Sequence, residues 1–138
     1  MRAHKHEAGV MLIEALIGIL IFSIGILALL GMQGAALKNT TDAKYRSEAA
    51  FLATQVVGQM WVDITNIPSY DTANPTPYPA RDAWVTKVAN TLPGALAPTI
   101  QVGPAVGEVR VQVQWKQPGE NDTRQVIILN RIHLGAGA

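Results

Sequence analysis

The sequence predicts an α+β fold: a long amino-terminal helix, a short second helix and a small antiparallel sheet of about three strands. Three patterns carry this. Residues 10–32 form an apolar run broken only by Ser23 and one charge, Glu14. Tyr45, Ala49, Leu52, Val56 and Met60 then recur at helical spacing, with Ala53, Val57 and Ile64 beside them. Near the carboxyl end, "EVRVQVQW" alternates strictly, with Val109, Val111, Val113 and Trp115 on one face and Arg110, Gln112 and Gln114 on the other.

The bulk composition bounds the function. A chain of 138 residues is one domain. Its hydrophobic fraction of 49% is concentrated in the first quarter, which leaves a modest core for the rest. A net charge of +1 lacks the basic stripe of a nucleic-acid binder. Cysteine is absent, so disulfides and thiolate metal sites are excluded and an exported head must hold together by packing alone.

The apolar run spans about 23 residues, or roughly 35 Å of helix, enough to cross a bilayer core. The leader "MRAHKHEAG" carries Arg2, Lys5 and the terminal amine against Glu7. Positive charge stays inside, so the amino end is expected in the cytoplasm and the carboxyl end outside. A cleaved secretory signal would need a shorter core, of about 7–15 residues, and a better cut site than the "GAA" at 34–36. A plain signal anchor fits the length but leaves Glu14 unexplained. A carboxylate at mid-bilayer costs about 2.5–3.5 kcal/mol, and less near the edge.

Glu14 needs a partner. If the leader is cut after Gly9, Val10 carries a new α-amine one helical turn away. Carboxylate and amine, of the same or a neighbouring chain, then offset each other's desolvation. At about 100° per residue, Glu14, Gly18, Gly25 and Ala28 share one narrow arc. Small residues on one face allow close approach of helices in lipid.

The residues "GVMLIE" at 9–14, behind a short basic leader and ahead of a long apolar helix, resemble the class III signal of type IV prepilins and of the pseudopilins of type II secretion. The fuller stretch "GVMLIEALIGILIFSIGILALLGMQ" is most similar to minor pilins of the PilV, or pilus-modification, type. The resemblance implies a pilin-like fold in three parts: a leader of residues 1–9 that is removed, a helix of residues 10–64 (membrane span 10–32, spine 33–64), and a head of residues 65–138. It implies that a prepilin peptidase cuts between Gly9 and Val10 and methylates the Val10 amine. Glu14 would neutralise or recruit a neighbouring subunit during assembly. Gly18, Gly25 and Ala28 would pack against other helices. The implied partners are the peptidase, other minor pilins and the major pilin, the inner-membrane assembly platform, and the bilayer before assembly. The implied location is the inner membrane in a single pass, then a surface pilus. No cofactor or metal is called for. The sequence departs from major pilins in having Val10 where phenylalanine is usual, no proline before Pro68 and no cysteine. Gly31 and Gly34 offer local helix weakness instead.

The remaining elements follow in order. Helix is expected from about Met11 to about Asp63, roughly 80 Å, with 38–44 as its most exposed section and Trp61 either packed beside the stripe or at the rim. Asn66, Pro68 and "YDTANPTPYPA" predict a loop, because Pro75, Pro77 and Pro79 oppose regular helix. "RDAWVTKVANTLPG" predicts a short helix capped by Asp82, with Trp84 and Val88 on one face and Pro93 and Gly94 stopping it. "TIQVG", "EVRVQVQW" and "TRQVIILNRIHL" predict strands, the last with Val126, Ile128 and Ile132 on one face and Ile127 and Leu129 on the other. The tail "GAGA" is expected to fray.

Enzymatic chemistry has little to stand on. His133 is the single histidine outside the leader, and the acids Asp71, Asp82, Glu108, Glu120 and Asp122 are dispersed. Glu120 and Asp122 in one turn supply too few oxygens for the usual calcium shell of about six to eight. The reading is therefore a structural subunit. The competing readings are a minor pseudopilin of type II secretion and a signal-anchored periplasmic binding domain.

Overall fold

A computed structural model describes residues 4–103 and 107–132, with side chains from residue 9 onward. The expected His133 strand end, the GAGA tail and the first leader residues lie outside the described residues. The fold is α+β with the expected pilin-like layout: α1 (His4–Val62), a 3-10 helix η1 (Ile64–Tyr70), α2 (Pro79–Thr91), β1 (Thr99–Val102), β2 (Glu108–Lys116) and β3 (Thr123–Arg131). Internal contacts divide the chain into two units, Met1–Thr41 and Asp42–Ala138.

The described residues of the first unit are all helical. Its apolar side chains have nothing to pack on, and Val10, Leu16, Phe22, Leu27 and Met32 are each more than half exposed. Gly31 and Gly34 do not interrupt the helix. The backbone of α1 begins at His4, several residues before the expected start.

The second unit has one apolar core. The predicted stripe on α1 supplies Ala49, Leu52, Ala53, Val56, Val57 and Met60, all buried. α2 adds Trp84 and Val88, and β2 adds the whole alternating set from Val109 to Trp115, with zero exposure for all four inward residues. Burial of each large aliphatic side chain stabilises by roughly 1.5–3 kcal/mol. The core also fixes α2 on α1, because the buried Trp84 indole N–H donates to the Leu52 carbonyl at 2.9 Å. Without that acceptor the N–H would be buried unpaired.

The sheet is antiparallel in the order β1-β2-β3. Ile100 lies opposite Val111, and Val111 opposite Ile128. The β1–β2 turn requires Gly107: φ is +82°, and a Cβ there would collide with the Ile132 carbonyl. The Ile132 amide donates to the Gly107 carbonyl at 2.7 Å, so the end of β3 is stitched to that turn.

Three local expectations are corrected. The segment after α1 is not a loop at once: η1 absorbs Asn66 and Pro68. A proline fits a short 3-10 helix because the tighter bonding pattern makes few demands on its missing N–H. Pro79 does not oppose helix but starts it, at the first position of α2, where no N–H is needed. Asp82 is not the N-cap. Tyr78 holds that position, and the Asp82 carboxylate accepts from the Tyr78 amide at 3.0 Å, restraining the first turn from inside it.

Candidate functional site

The residues predicted to carry function lie on the first unit. Gly9, Val10 and Glu14 are all helical and exposed. Val10, Ile13, Glu14 and Ile17 line a shallow groove on one side of α1. Glu14 makes no hydrogen bond or ion pair among the described residues, so its carboxylate stands alone in an apolar surface. Gly18 and Gly25 meet nothing within 4 Å where a Cβ would stand, and Ala28 is exposed. Helical geometry thus keeps the charge and the small residues on one uncovered face. α1 is the one helix among the described residues long and apolar enough to cross a membrane, and its apolar window is 0% buried.

In the second unit, polar side chains organise the path from α1 to the sheet. Asp63, just past α1, accepts from Asn66 Nδ2 at 2.7 Å, from the Tyr70 hydroxyl at 3.3 Å and from the Tyr78 hydroxyl. Tyr70 and Tyr78 meet edge to face with ring centroids 5.0 Å apart. The Tyr78 hydrogen bond, chiefly, lowers the Asp63 pKa below its ordinary value, and the Asn66 bond lowers it further. Burial, first, then the neighbouring Tyr78 and Asp63 raise that of Tyr70.

Arg81 is the centre of the proline-rich segment. It is 7% exposed. Its Nη1 reaches the carbonyls of Asp71 at 2.9 Å and Asn74 at 3.0 Å, and its Nη2 that of Thr76 at 3.0 Å. Nε pairs with Asp82 at 2.9 Å. A guanidinium with five fixed donors gathers several carbonyls that a proline-rich segment cannot satisfy by helix or sheet. Asp42, the first residue of the second unit, does a similar job, accepting from Gln117 at 2.8 Å and Arg124 at 3.4 Å. Arg124 also pairs with Glu120 at 3.0 Å, so that turn carboxylate is committed to a cation of its own chain.

Sequence reasoning passed over Asp42, Asp63 and Arg81. The one signal for Arg81 was its place beside Asp82 after a run of prolines, which does not distinguish a buried arginine from a solvated one. Among the described residues, no cluster of three metal-ligating side chains forms. These constellations position backbone.

No family model, curated protein or solved structure matches this chain. The fold and the amino-terminal residues therefore carry the functional reading by themselves.

Proposed function

We propose that this chain is a minor type IV pilin, a structural subunit processed and N-methylated by prepilin peptidase that joins other pilins to prime or modify a pilus. One observation carries the reading: an unpartnered carboxylate, Glu14, on an uncovered apolar helix one turn from Val10. Cleavage after Gly9 would place an amine at Val10, and a neighbouring subunit's amine would offset the charge that lipid penalises. The glycines on the same face let a second helix approach closely. The second unit, with a core of its own, is suited to remain outside the bilayer as a periplasmic head.

Intact mass and amino-terminal sequencing of the chain recovered from membranes test this, with Gly9→Ala beside the parent. The parent is expected to begin at N-methyl-Val10 and the variant to keep its leader. A parent that still begins at Met1, or is cut near Ala36, would overturn the pilin reading in favour of a membrane anchor or a signal peptide. Recovery of the processed chain from sheared pili then separates a pilin from a pseudopilin of type II secretion.

A further inference from the structure

The apolar face of the sheet changes character at one end. Trp115, the last inward residue of β2, is 0% exposed. Arg124 lies directly opposite it on β3. Opposite residues share a face, with Cβ atoms about 4.5–5.5 Å apart. The Arg124 side chain therefore leaves the sheet beside the Trp115 indole. It reaches α1, where Nη1 donates to Asp42 Oδ2 at 3.4 Å, and the β2–β3 turn, where Nη2 donates to Glu120 Oε2 at 3.0 Å. Gln117, also in that turn and 6% exposed, donates to Asp42 Oδ1 at 2.8 Å. Arg46 adds a longer contact to Asp42, at 3.7 Å.

Two donors in this cluster are left over. The Trp115 indole N–H and the Arg124 Nε–H are buried and have no hydrogen-bond partner. No other buried side-chain nitrogen or oxygen among the described residues is in that condition. The two orphans of the fold thus belong to one pair of facing residues. A buried N–H without an acceptor forfeits the hydrogen bond it makes to water in the unfolded chain. Native interiors satisfy such groups with protein or with ordered water. The other indole of the core follows the first course, since Trp84 donates to the Leu52 carbonyl. Trp115 and Arg124 have no such carbonyl, so their acceptor comes from outside the chain.

The surrounding charges select its kind. Asp42 and Glu120 hold the two ends of the guanidinium, and Asp122 adds its field at Arg124. An anion at Nε would meet the repulsion of these carboxylates. Water is neutral, accepts from two donors, and gives its own hydrogens to carboxylate oxygens with spare lone pairs. A buried water ordinarily has about three such partners. We propose that one ordered water sits between Trp115 and Arg124, accepting from both N–H groups and donating to the carboxylates of Asp42 and Glu120. It completes the tie between α1 and the β2–β3 turn. The inference stands on the second unit alone and does not depend on the chain being a pilin.

Three tryptophans give the test its own controls. In the full chain in detergent micelles, NMR cross-relaxation with water is measured at each indole N–H and at the Arg124 Nε–H. A held water gives laboratory-frame and rotating-frame effects of opposite sign. Trp115 and Arg124 are expected to show that pair. Trp84, bonded to Leu52, should show no held water, and Trp61, 43% exposed, only fast hydration. Arg124→Lys keeps the charge but sets a methylene where Nε stood. It should shorten the residence of the water at Trp115 about tenfold, the size of one hydrogen bond, as read by magnetic relaxation dispersion. Trp115→Phe should shorten it equally at the Arg124 Nε–H, and decides the matter if the lysine variant does not fold. Absence of a held water at Trp115 would overturn the proposal. So would a residence time that neither variant changes, since the two donors would then not share one water. A saturable shift of both N–H resonances when chloride replaces sulfate in the buffer would overturn it in favour of an anion.

Discussion

At the scale of single residues, the charged side chains divide by whether the chain itself supplies their partner. Asp42, Asp63 and Arg81 are matched inside the second unit, whereas Glu14 has no partner among the described residues. Asp63 has a folded pKa below its ordinary 3.8. Its contribution to stability is fully present above the unfolded value and is lost as pH falls through the lower, folded one. Urea midpoints of the full chain in detergent, taken from about pH 6 down to about pH 2, should therefore decline less steeply in Asp63→Asn than in the parent. Parallel declines would show that its hydrogen bonds do not couple folding to protonation. Tyr70 acts at the other end of the scale: its pKa is raised, so its contribution holds below the ordinary 10.0 and is lost at higher pH.

At the scale of elements, the segment from Asp71 to Tyr78 shows how a sequence with neither periodicity acquires one conformation. Asp71 and Asn74 each accept from the amide two residues on, at 2.7 and 3.0 Å, making local turns. Arg81 then collects the inward carbonyls. Arg81→Met keeps the stem and removes the donors, leaving buried carbonyls without partners. It is expected to destabilise the folded head by about 3 kcal/mol, read as a shift in the denaturation midpoint. It should also raise exchange at Ile100 and Val102, whose amides are held by Thr72 and Asp71. An unchanged midpoint would mean that water replaces the guanidinium freely.

At the scale of the whole molecule, the two units satisfy their apolar surface in opposite ways. Every core residue from Ala49 onward belongs to the second unit. The first exposes a nearly continuous apolar surface, far larger than a soluble protein leaves bare. A fragment beginning at Asp42 is therefore expected to be monodisperse without detergent and to melt cooperatively, whereas the full chain aggregates until detergent is added. Size-exclusion chromatography and thermal circular dichroism would check both. A fragment without a cooperative transition would show that the head needs the preceding helix for its stability.

The elements with a regular period were legible in the residues alone. Helical spacing from Tyr45 to Met60 and strict alternation from Val109 to Trp115 each commit one face to a core, and the core formed on those faces. The membrane-length run and the isolated Glu14 were legible for the same reason, since local composition decides whether a helix can face lipid. Other features depended on which segments meet in space. Asp71 and Thr72 close the β1 edge from about 28 residues away in sequence, and nothing in either segment marks that pairing. Arg81 is buried only because four carbonyls of the preceding segment, those of Ser69, Asp71, Asn74 and Thr76, converge on it. Backbone groups are identical at every residue, so the sequence determined which faces are apolar, and tertiary structure alone decided which hydrogen-bonding groups were left without a partner.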